Sequence, residues 1–460
     1  MSETFSIKLF KLIIILSLSS LWSNQKPNII LILADDLGYG DLGYLGAKDI
    51  RTPHIDALAE SGMSFSQGYQ SASVCGPARA GLLTGRHQQL FGCGENPPET
   101  GPLAKQFPDA GVPLNEQMIF ELLKPAGYTT GVIGKWHMGL SHNQRPSQRS
   151  VDYFYGFLNG AHSYREAKMD MSGAPMTWPI FRNNEPVPFS GYTTEVFNDE
   201  GVNFIKRNKD KPFFLYMSYN SVHGPWEAQE KDLQRSAHIK KKWRRIYSAM
   251  LISMDDGLGR IVKNLKDEGI YDKTIVIFMS DNGAPNKLNE ATRENDYLAS
   301  NGSLHGRKGD TYEGGIRVPF IISWPNHIQA ASTYKYPVSG LDVVPTLMSI
   351  SQAPNSKKHL SGVNLMPYIH GTNKTRPHDT LYWRRDDDYA IRKKDWKLTW
   401  NDYNGPRVPM LFNLADDPKE ERNLIQQYPE IAEDLQHKFD HWDSRLPDNK
   451  WWGGPSNRKR

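Results

Sequence analysis

Continuous apolar runs alternate along the chain with stretches of helical spacing, and each run ends on polar residues. Residues 28–33 read Asn-Ile-Ile-Leu-Ile-Leu. They lack the alternation of a strand with one wet face, which predicts a strand buried on both faces of a parallel sheet. It leads into Ala34-Asp35-Asp36. In the same way residues 129–134 lead into Lys135-Trp136-His137, residues 213–219 into Asn220-Ser221-Val222-His223-Gly224, and residues 274–280 into Asp281-Asn282-Gly283. Helical patterns lie between, most clearly over 243–268, where Ile246, Met250, Ile252, Leu258, Ile261 and Leu265 recur at roughly helical spacing. Thr52-Pro53 predicts the capped start of another helix running toward Gly62. The alternation predicts an α/β fold: a large, doubly wound, mostly parallel sheet sandwiched by helices. Ligands of such sheets gather outside the C-terminal ends of the strands. The polar residues after each run stand there.

Residues 139–188 show little periodicity and many Ser, Asn, Pro and Gly, which predicts long loops over the sheet that shape substrate access. After Gly371 the pattern changes. Residues 381–384, 390–392 and 396–400 read as short antiparallel strands, and a helix follows from about 429 to 446. The chain is thus expected to hold a main domain over 25–375 and a small C-terminal antiparallel sheet plus helix over 376–460. At the start, Lys8 and Lys11 precede an apolar run over 12–22. That length fits a signal h-region and falls short of a membrane span, so a cleaved secretory signal over 1–24, export to the periplasm or beyond, and no stable membrane span are expected. A retained interfacial anchor is the alternative. No cysteine stands near the cleavage region, so a lipoprotein is not expected.

With 55 basic and 51 acidic residues the net charge is +4. Nothing there favours nucleic acid as a partner, and any attraction for anions must be local. The two cysteines, Cys75 and Cys93, are too few for a disulfide framework. Twelve Trp and 21 Tyr suit core and rim packing more readily than sugar-stacking platforms.

The most deliberate placement of a reactive group is in residues 73–86. Pro77 suits a first helical turn and Gly85 the position past a helix end, so Cys75 is expected at a helix N-terminus. Partial positive charge and free N–H groups there favour anions and are expected to lower the thiol pKa. Arg79, four residues on, shares that face. Asp35, Asp36, Asp281 and Asn282 offer hard oxygen ligands from two strand ends, suited to Ca²⁺ or Mg²⁺ and not to zinc. Each element alone has a plainer reading: a buried structural thiol, a solvated acidic turn, a histidine packed beside a tryptophan.

Together they resemble a family. Cys75-x-Pro77-x-Arg79 followed by Leu82-Leu83-Thr84-Gly85-Arg86 resembles the signature of type I, formylglycine-dependent sulfatases of the alkaline phosphatase superfamily. Asp35-Asp36-Leu37-Gly38-Tyr39-Gly40-Asp41 and Ser280-Asp281-Asn282-Gly283 resemble the family's metal-ligand motifs, and Gly134-Lys135-Trp136-His137 its lysine and histidine segment. The likeness continues through Asn220-Ser221-Val222-His223-Gly224-Pro225, Leu304-His305-Gly306-Arg307-Lys308-Gly309 and Tyr312-Glu313-Gly314-Gly315-Ile316-Arg317-Val318-Pro319. It closes with Asn413-Leu414-Ala415-Asp416-Asp417-Pro418 and Glu421-Arg422-Asn423-Leu424.

The resemblance implies that a formylglycine-generating or anaerobic sulfatase-maturating enzyme oxidises Cys75. One hydroxyl of the hydrated aldehyde then attacks sulfur, and the second, once deprotonated, collapses to expel sulfate. It implies Ca²⁺, with Mg²⁺ possible, held by Asp35, Asp36, residue 75, Asp281 and Asn282. Lys135 and His137 would flank residue 75, with His137 taking the proton of the second hydroxyl and His223 protonating the departing alcohol. Arg79 belongs to the same catalytic set, and Lys308 would contact sulfate and leaving group. Gly314 and Gly315 would serve close packing, and Arg317 would pair with an acid.

The expected activity is that of an exported sulfatase acting on a sulfated carbohydrate, a polysaccharide or its oligosaccharides of ulvan, carrageenan or fucoidan type, the marine glycan being an analogy. Host glycosaminoglycan and small aryl sulfates stay open. So do a phosphate or phosphonate monoester hydrolase of the same superfamily and a non-catalytic glycan-binding protein. The intact Lys135, His137, His223 and Lys308 count against the last. The loops carrying His162, Arg165, Trp226 and Arg384 match no readable pattern.

Overall fold

The computed structural model describes residues 26–285, 298–401, 408–449 and 451. The expected secretory signal lies outside them. The main sheet has ten strands: β1 (Asn28–Ala34), β2 (Met63–Phe65), β3 (Thr129–Lys135), β4 (Tyr153–Phe157), β5 (Ile180–Arg182), β6 (Glu185–Val187), β7 (Phe213–Ser218), β8 (Thr274–Ser280), β9 (Phe320–Ser323) and β10 (Ser332–Tyr334). Their order is β10-β2-β9-β8-β1-β7-β3-β4-β5-β6. From β8 across to β4 neighbours are parallel, and β9, β5 and β6 pair antiparallel.

Strand β1 is central because its apolar run feeds both layers. Ile29, Leu31 and Leu33 enter one core, and Ile30, Ile32 and Ala34 the other. The larger helices are α1 (Pro53–Glu60), α2 (Cys75–Thr84), α3 (Thr193–Asn208), α4 (Lys242–Asp267) and α5 (Val343–Ser351). Leu82 and Leu83 of α2 and Val344 and Leu347 of α5 fill the first core. Ile55 of α1, Phe197 and Phe204 of α3 and Met250 and Leu258 of α4 fill the second. In register Ala34 faces Ser280 and Leu33 faces Ser218, while Gly134 also faces Ser218. The strands therefore end level, and the residues after Ala34, Gly134, Ser218 and Ser280 share one rim.

Two local expectations are corrected. Helix α1 begins where predicted, but Thr52 does not cap it: its hydroxyl accepts from the Gly43 N–H at 2.9 Å and donates to Asp56 at 3.0 Å. The free N–H groups of His54 and Ile55 donate instead to Asp255 of α4, at 3.2 and 2.7 Å, because a buried carboxylate accepts more strongly than a hydroxyl. Residues 139–188 are not loops alone, since they carry β4, β5 and β6. The signal was short: an aromatic run at β4, and a hairpin turned on Asn183-Asn184, with Asn183 at φ 55°.

The C-terminal sheet is four-stranded and antiparallel: β11 (Thr380–Arg385), β12 (Asp388–Lys393), β13 (Trp396–Asn401) and β14 (Val408–Asn413). The fourth strand was not foreseen. Helix α6 (Pro429–Asp443) lays Leu435, Phe439 and Trp442 on Ile391, Leu398 and Leu411. The two sheets meet over buried charge. Lys397 of β13 lies 3.0 Å from Glu313 and 2.8 Å from Glu420, all three shut off from solvent. The Tyr69 hydroxyl donates to Glu313 at 2.6 Å, and Arg317 stands 3.4 Å from the same carboxylate. Burial would neutralise Glu313, but Lys397, Arg317 and Arg392 outweigh it and hold its carboxyl below the usual range. Among the described residues no helix is long and apolar enough to cross a membrane.

Candidate active site

Helix α2 starts at Cys75 after an extended Val74, with Pro77 in its first turn. It ends at Gly85, whose left-handed backbone (φ 65°) turns its N–H onto the Gly81 carbonyl at 2.9 Å. Cys75 is buried. The Gly76 N–H donates to Asn96 Oδ1 at 2.8 Å, and Cys75 Sγ lies 3.9 Å from that oxygen. The expected lowering of the thiol pKa is overturned: burial pushes it up, more than Lys135 and Lys308 pull it down. An unmodified thiol here stays protonated and is a weak nucleophile. Arg79 faces inward, its Nε and Nη2 lying 3.0 and 2.8 Å from Asp281 Oδ2 and its Nη1 2.5 Å from Ser218 Oγ.

The acids lie at the ends of β1 and β8. Asp35 Oδ2 accepts from Lys135 Nζ at 2.7 Å. Asp36, in a left-handed conformation (φ 62°) rare for a non-glycine residue, accepts from Lys308 at Oδ2 at 2.9 Å and from Asn282 Nδ2 at 2.7 Å. Ligand atoms of Asp35, Cys75 and Asp281 fall within 4.8 Å of one another, as do those of Asp35, Asp36 and His223. Two buried oxygens, Asp35 Oδ1 and Asn282 Oδ1, have no hydrogen-bond partner among the described residues. Leaving such atoms bare is costly, and a hard divalent cation is the partner that a set of carboxylate and amide oxygens suits. Burial raises the Asp35 carboxyl to about 7 against the pull of Lys135 and Arg79. For Asp36, Lys308 and His223 overcome burial and hold it below the carboxylate range.

His137 follows β3, itself left-handed at φ 57°, with its N–H on the Leu158 carbonyl at 3.0 Å. Its Nε2 stands 3.7 Å from Glu99 Oε1, and its Nδ1 is buried without a hydrogen-bond partner among the described residues. Burial, then Lys135, Arg79, Lys308 and His223, hold the ring far below the usual histidine pKa. His223 Nδ1 lies 2.6 Å from the Gly224 carbonyl and Nε2 3.7 Å from Asp36 Oδ2. Burial and Lys308 bring His223 down to about 4 despite Asp36. Burial pulls Lys308 down, but Asp36, Cys75, Asp35 and Asp281 together outweigh it and hold it above its ordinary value. Its loop is tied to both sides of the site: the Lys308 N–H donates to Ala284 at 3.0 Å and the Gly309 N–H to Ser73 at 2.8 Å.

A buried cysteine at a helix start, an arginine locked on an aspartate, and lysines on the paired acids all fall inside residues 27–353, which match the Sulfatase family model. The chain belongs to the sulfatase family. A second model, N-sulphoglucosamine sulphohydrolase, C-terminal, matches residues 307–445 of this sulfatase. The crystal structure of Ps i-CgsB is 36% identical with a TM-score of 0.85, covering 94% of this chain and 96% of that one. The structure of Ps i-CgsB in complex with k-i-k-neocarrahexaose is similar at 35% identity and a TM-score of 0.85, covering the same shares. Human N-acetylgalactosamine-6-sulfatase is 30% identical over 453 residues, 89% of this chain and 84% of its own. The sulfatase is a sulfate-ester hydrolase.

All the residues singled out for chemistry converge on this rim: Asp35, Asp36, Cys75, Arg79, Lys135, His137, His223, Asp281, Asn282 and Lys308. Three that the sequence did not point to join them. Asn96, Glu99 and Ser218 sit in a proline-rich stretch and at the end of a buried strand, with no spacing to mark them. Gly314 and Gly315 pack as closely as expected, since a Cβ on Gly314 would lie 2.4 Å from the Gly306 carbonyl oxygen and one on Gly315 2.0 Å from that of Asp310. Of the unread loop residues, His162 is structural: both ring nitrogens lie 2.7 Å from backbone carbonyls, and the ring stacks on Phe157. Arg384 ties β11 to α6 through Asp443 at 2.6 Å, Arg165 reaches the Ala228 carbonyl at 2.6 Å, and Trp226 packs on Trp243.

Proposed function

We propose that this sulfatase is exported and removes sulfate from a carrageenan-type polysaccharide or its oligosaccharides. The observation that carries the substrate is the likeness to Ps i-CgsB over nearly the whole chain, together with the k-i-k-neocarrahexaose bound to that protein. The basic and apolar start of the chain supports export.

In this reading formylglycine at position 75 would supply a hydrate hydroxyl as the nucleophile, and Asp35, Asp36, Asp281 and Asn282 would hold Ca²⁺, which would supply positive charge beside the sulfate. Arg79 holds Asp281 in place, as Lys135 does Asp35. Lys308 shares its charge between Asp36 and the sulfate. A sulfate drawn in beside His223 raises that ring's pKa, so Nε2 carries a proton to the leaving alcohol oxygen. His137 enters neutral, with a bare nitrogen for the hydroxyl proton of residue 75.

Ion chromatography of the anion released from carrageenan, ulvan and fucoidan, their oligosaccharides, glycosaminoglycans, and aryl sulfate and phosphate esters tests this, with Cys75→Ala as control. Sulfate from carrageenan oligosaccharides, released by the parent alone, is the expected result. Sulfate from another glycan replaces the substrate. Phosphate as the main product, or no anion from protein whose Cys75 peptide carries the aldehyde, overturns the reading.

A further inference from the structure

The charges around His137 pose a problem that the proposed roles leave unsolved. Once His137 has taken a proton it is an imidazolium among the cationic Lys135, Arg79 and Lys308, all of which oppose its charge. The ring is 5% exposed and cannot hand the proton to water directly. Among the described residues, Glu99 is the carboxylate within ion-pair reach, its Oε1 3.7 Å from His137 Nε2. Glu99 is 22% exposed, so it stands between the buried ring and solvent.

The approach is built. The Gly160 N–H donates to Glu99 Oε1 and fixes the carboxylate. Gly160 also lies close against the ring, where an added Cβ would come 2.5 Å from Nε2. With Nε2 turned to Glu99, Nδ1 is the buried, unpartnered nitrogen, and His137 lines one small cavity with Gly76 and Pro77 of the first turn after Cys75.

We propose that Glu99 completes a proton path, accepting from His137 Nε2 the charge equivalent that Nδ1 takes from the hydroxyl of residue 75. The inference rests on the proton-accepting role given to His137 above. One proton enters at Nδ1, one leaves from Nε2 to Glu99, and Glu99 releases it to water. The ring is left neutral as the Nδ1–H tautomer and is reset when the aldehyde is rehydrated, Nδ1 giving its proton to the carbonyl oxygen and Nε2 taking one back from water through Glu99, so no oxidant or reductant is needed. An approach of the ring to the fixed carboxylate closes the gap, as hydrogen bonds of resting sites often tighten when substrate binds. Lys135 and the Gly160 N–H favour the ionised carboxylate, but burial outweighs them and raises the Glu99 pKa, which suits a group that must take up a proton. Glu99 is on this account a positioning and relay residue, not the nucleophile's own base.

Glu99→Gln is the informative variant, because its amide oxygen still accepts from Gly160 while the side chain cannot take a proton. In ¹⁵N-labelled Cys75→Ala protein, which needs no maturation, the parent His137 ring should be the Nε2–H tautomer, and Glu99→Gln should lose that preference. In the matured enzyme, Glu99→Gln should release one equivalent of alcohol from an aryl sulfate in a burst. Steady turnover should then fall on the order of 10²-fold, KM falling with kcat so that kcat/KM is little changed, the residue 75 peptide carrying a sulfuryl group, and Glu99→Asp should recover part of the rate. An Nδ1–H ring in the parent overturns the path, as does a Glu99→Gln enzyme with parental kcat and no burst. If the parent itself releases no sulfate, the sulfatase reading fails instead, and the tautomer measurement still decides whether Glu99 and His137 are coupled.

Discussion

Arg79 donates through Nε to Asp281 Oδ2 at 3.0 Å, and its Nη2 lies 2.8 Å from the same oxygen, with both side chains closed to solvent. The other Asp281 oxygen is left for the Asp36 N–H, at 3.2 Å. Arginine's fork is what makes the first contact double, and lysine cannot reproduce it. Arg79→Gln should destabilise the protein by about 3–5 kcal/mol, the cost of stranding one member of a buried pair, and abolish sulfate release. Denaturant unfolding checks the first effect. An unchanged midpoint would mean that Asp281 finds another partner.

The bare oxygens of Asp35 and Asn282 make cation binding visible in stability. Calcium added to chelator-treated protein should raise the unfolding temperature, by about 2.7 kcal/mol of stability at a hundredfold excess over Kd. Asn282→Ala should shrink that gain. Thermal unfolding against calcium concentration measures both, and equal shifts in parent and variant would remove Asn282 from the ligand set.

Loss of the acid at position 223 should depend on the leaving group. His223→Ala should slow sugar sulfates by roughly 10²–10⁴-fold while sparing activated aryl esters, whose leaving oxygen needs no proton. Parallel kcat/KM series on the two substrate classes decide it. Equal losses on both contradict the role.

His378 offers a pH test away from the chemistry. Its Nε2 lies 2.8 and 2.9 Å from the two oxygens of Asp342, in a largely buried site. Burial pushes the ring's pKa down, but the charge and hydrogen bonds of Asp342 win, so the folded value lies above the unfolded one. The stabilisation is therefore complete below about pH 6.5 and fades as pH rises through the folded value. The unfolding-temperature gap between parent and His378→Gln should be widest near pH 6 and narrow toward about pH 9. A gap that widens with pH would reverse the assignment.

What could be read from the residues alone follows from range. Strands β1, β7 and β8 announce themselves because a strand buried on both faces must be apolar throughout. The 26-residue helix α4 has room to show its period, and Lys242–Asp267 falls within one residue of expectation at each end. Cys75 at a helix start and Gly85 at its end are local backbone requirements. The partner of Arg79 is not local: Asp281 lies 202 positions away in sequence, and only the parallel register of the strands brings them together. The thiol pKa was misjudged because a helix end is visible in sequence and the depth of its burial is not. Glu99 escaped notice for a similar reason, since its importance lies in which ring it meets.

The Lys397 bridge between Glu313 and Glu420 bears on how such enzymes can be recombined. The turn holding Glu313 packs under the loop of Lys308 and against Gly283, the neighbour of Asn282, with the Gly314 N–H on the His305 carbonyl at 2.6 Å and the Gly283 N–H on that of Gly315 at 3.0 Å. A chimera joined near residue 375 would take Lys397 and Glu420 from one parent and Glu313 from the other, and a mismatch would leave a charge buried beneath the catalytic rim. The workable exchange unit is larger: the 304–319 segment must travel with the C-terminal sheet.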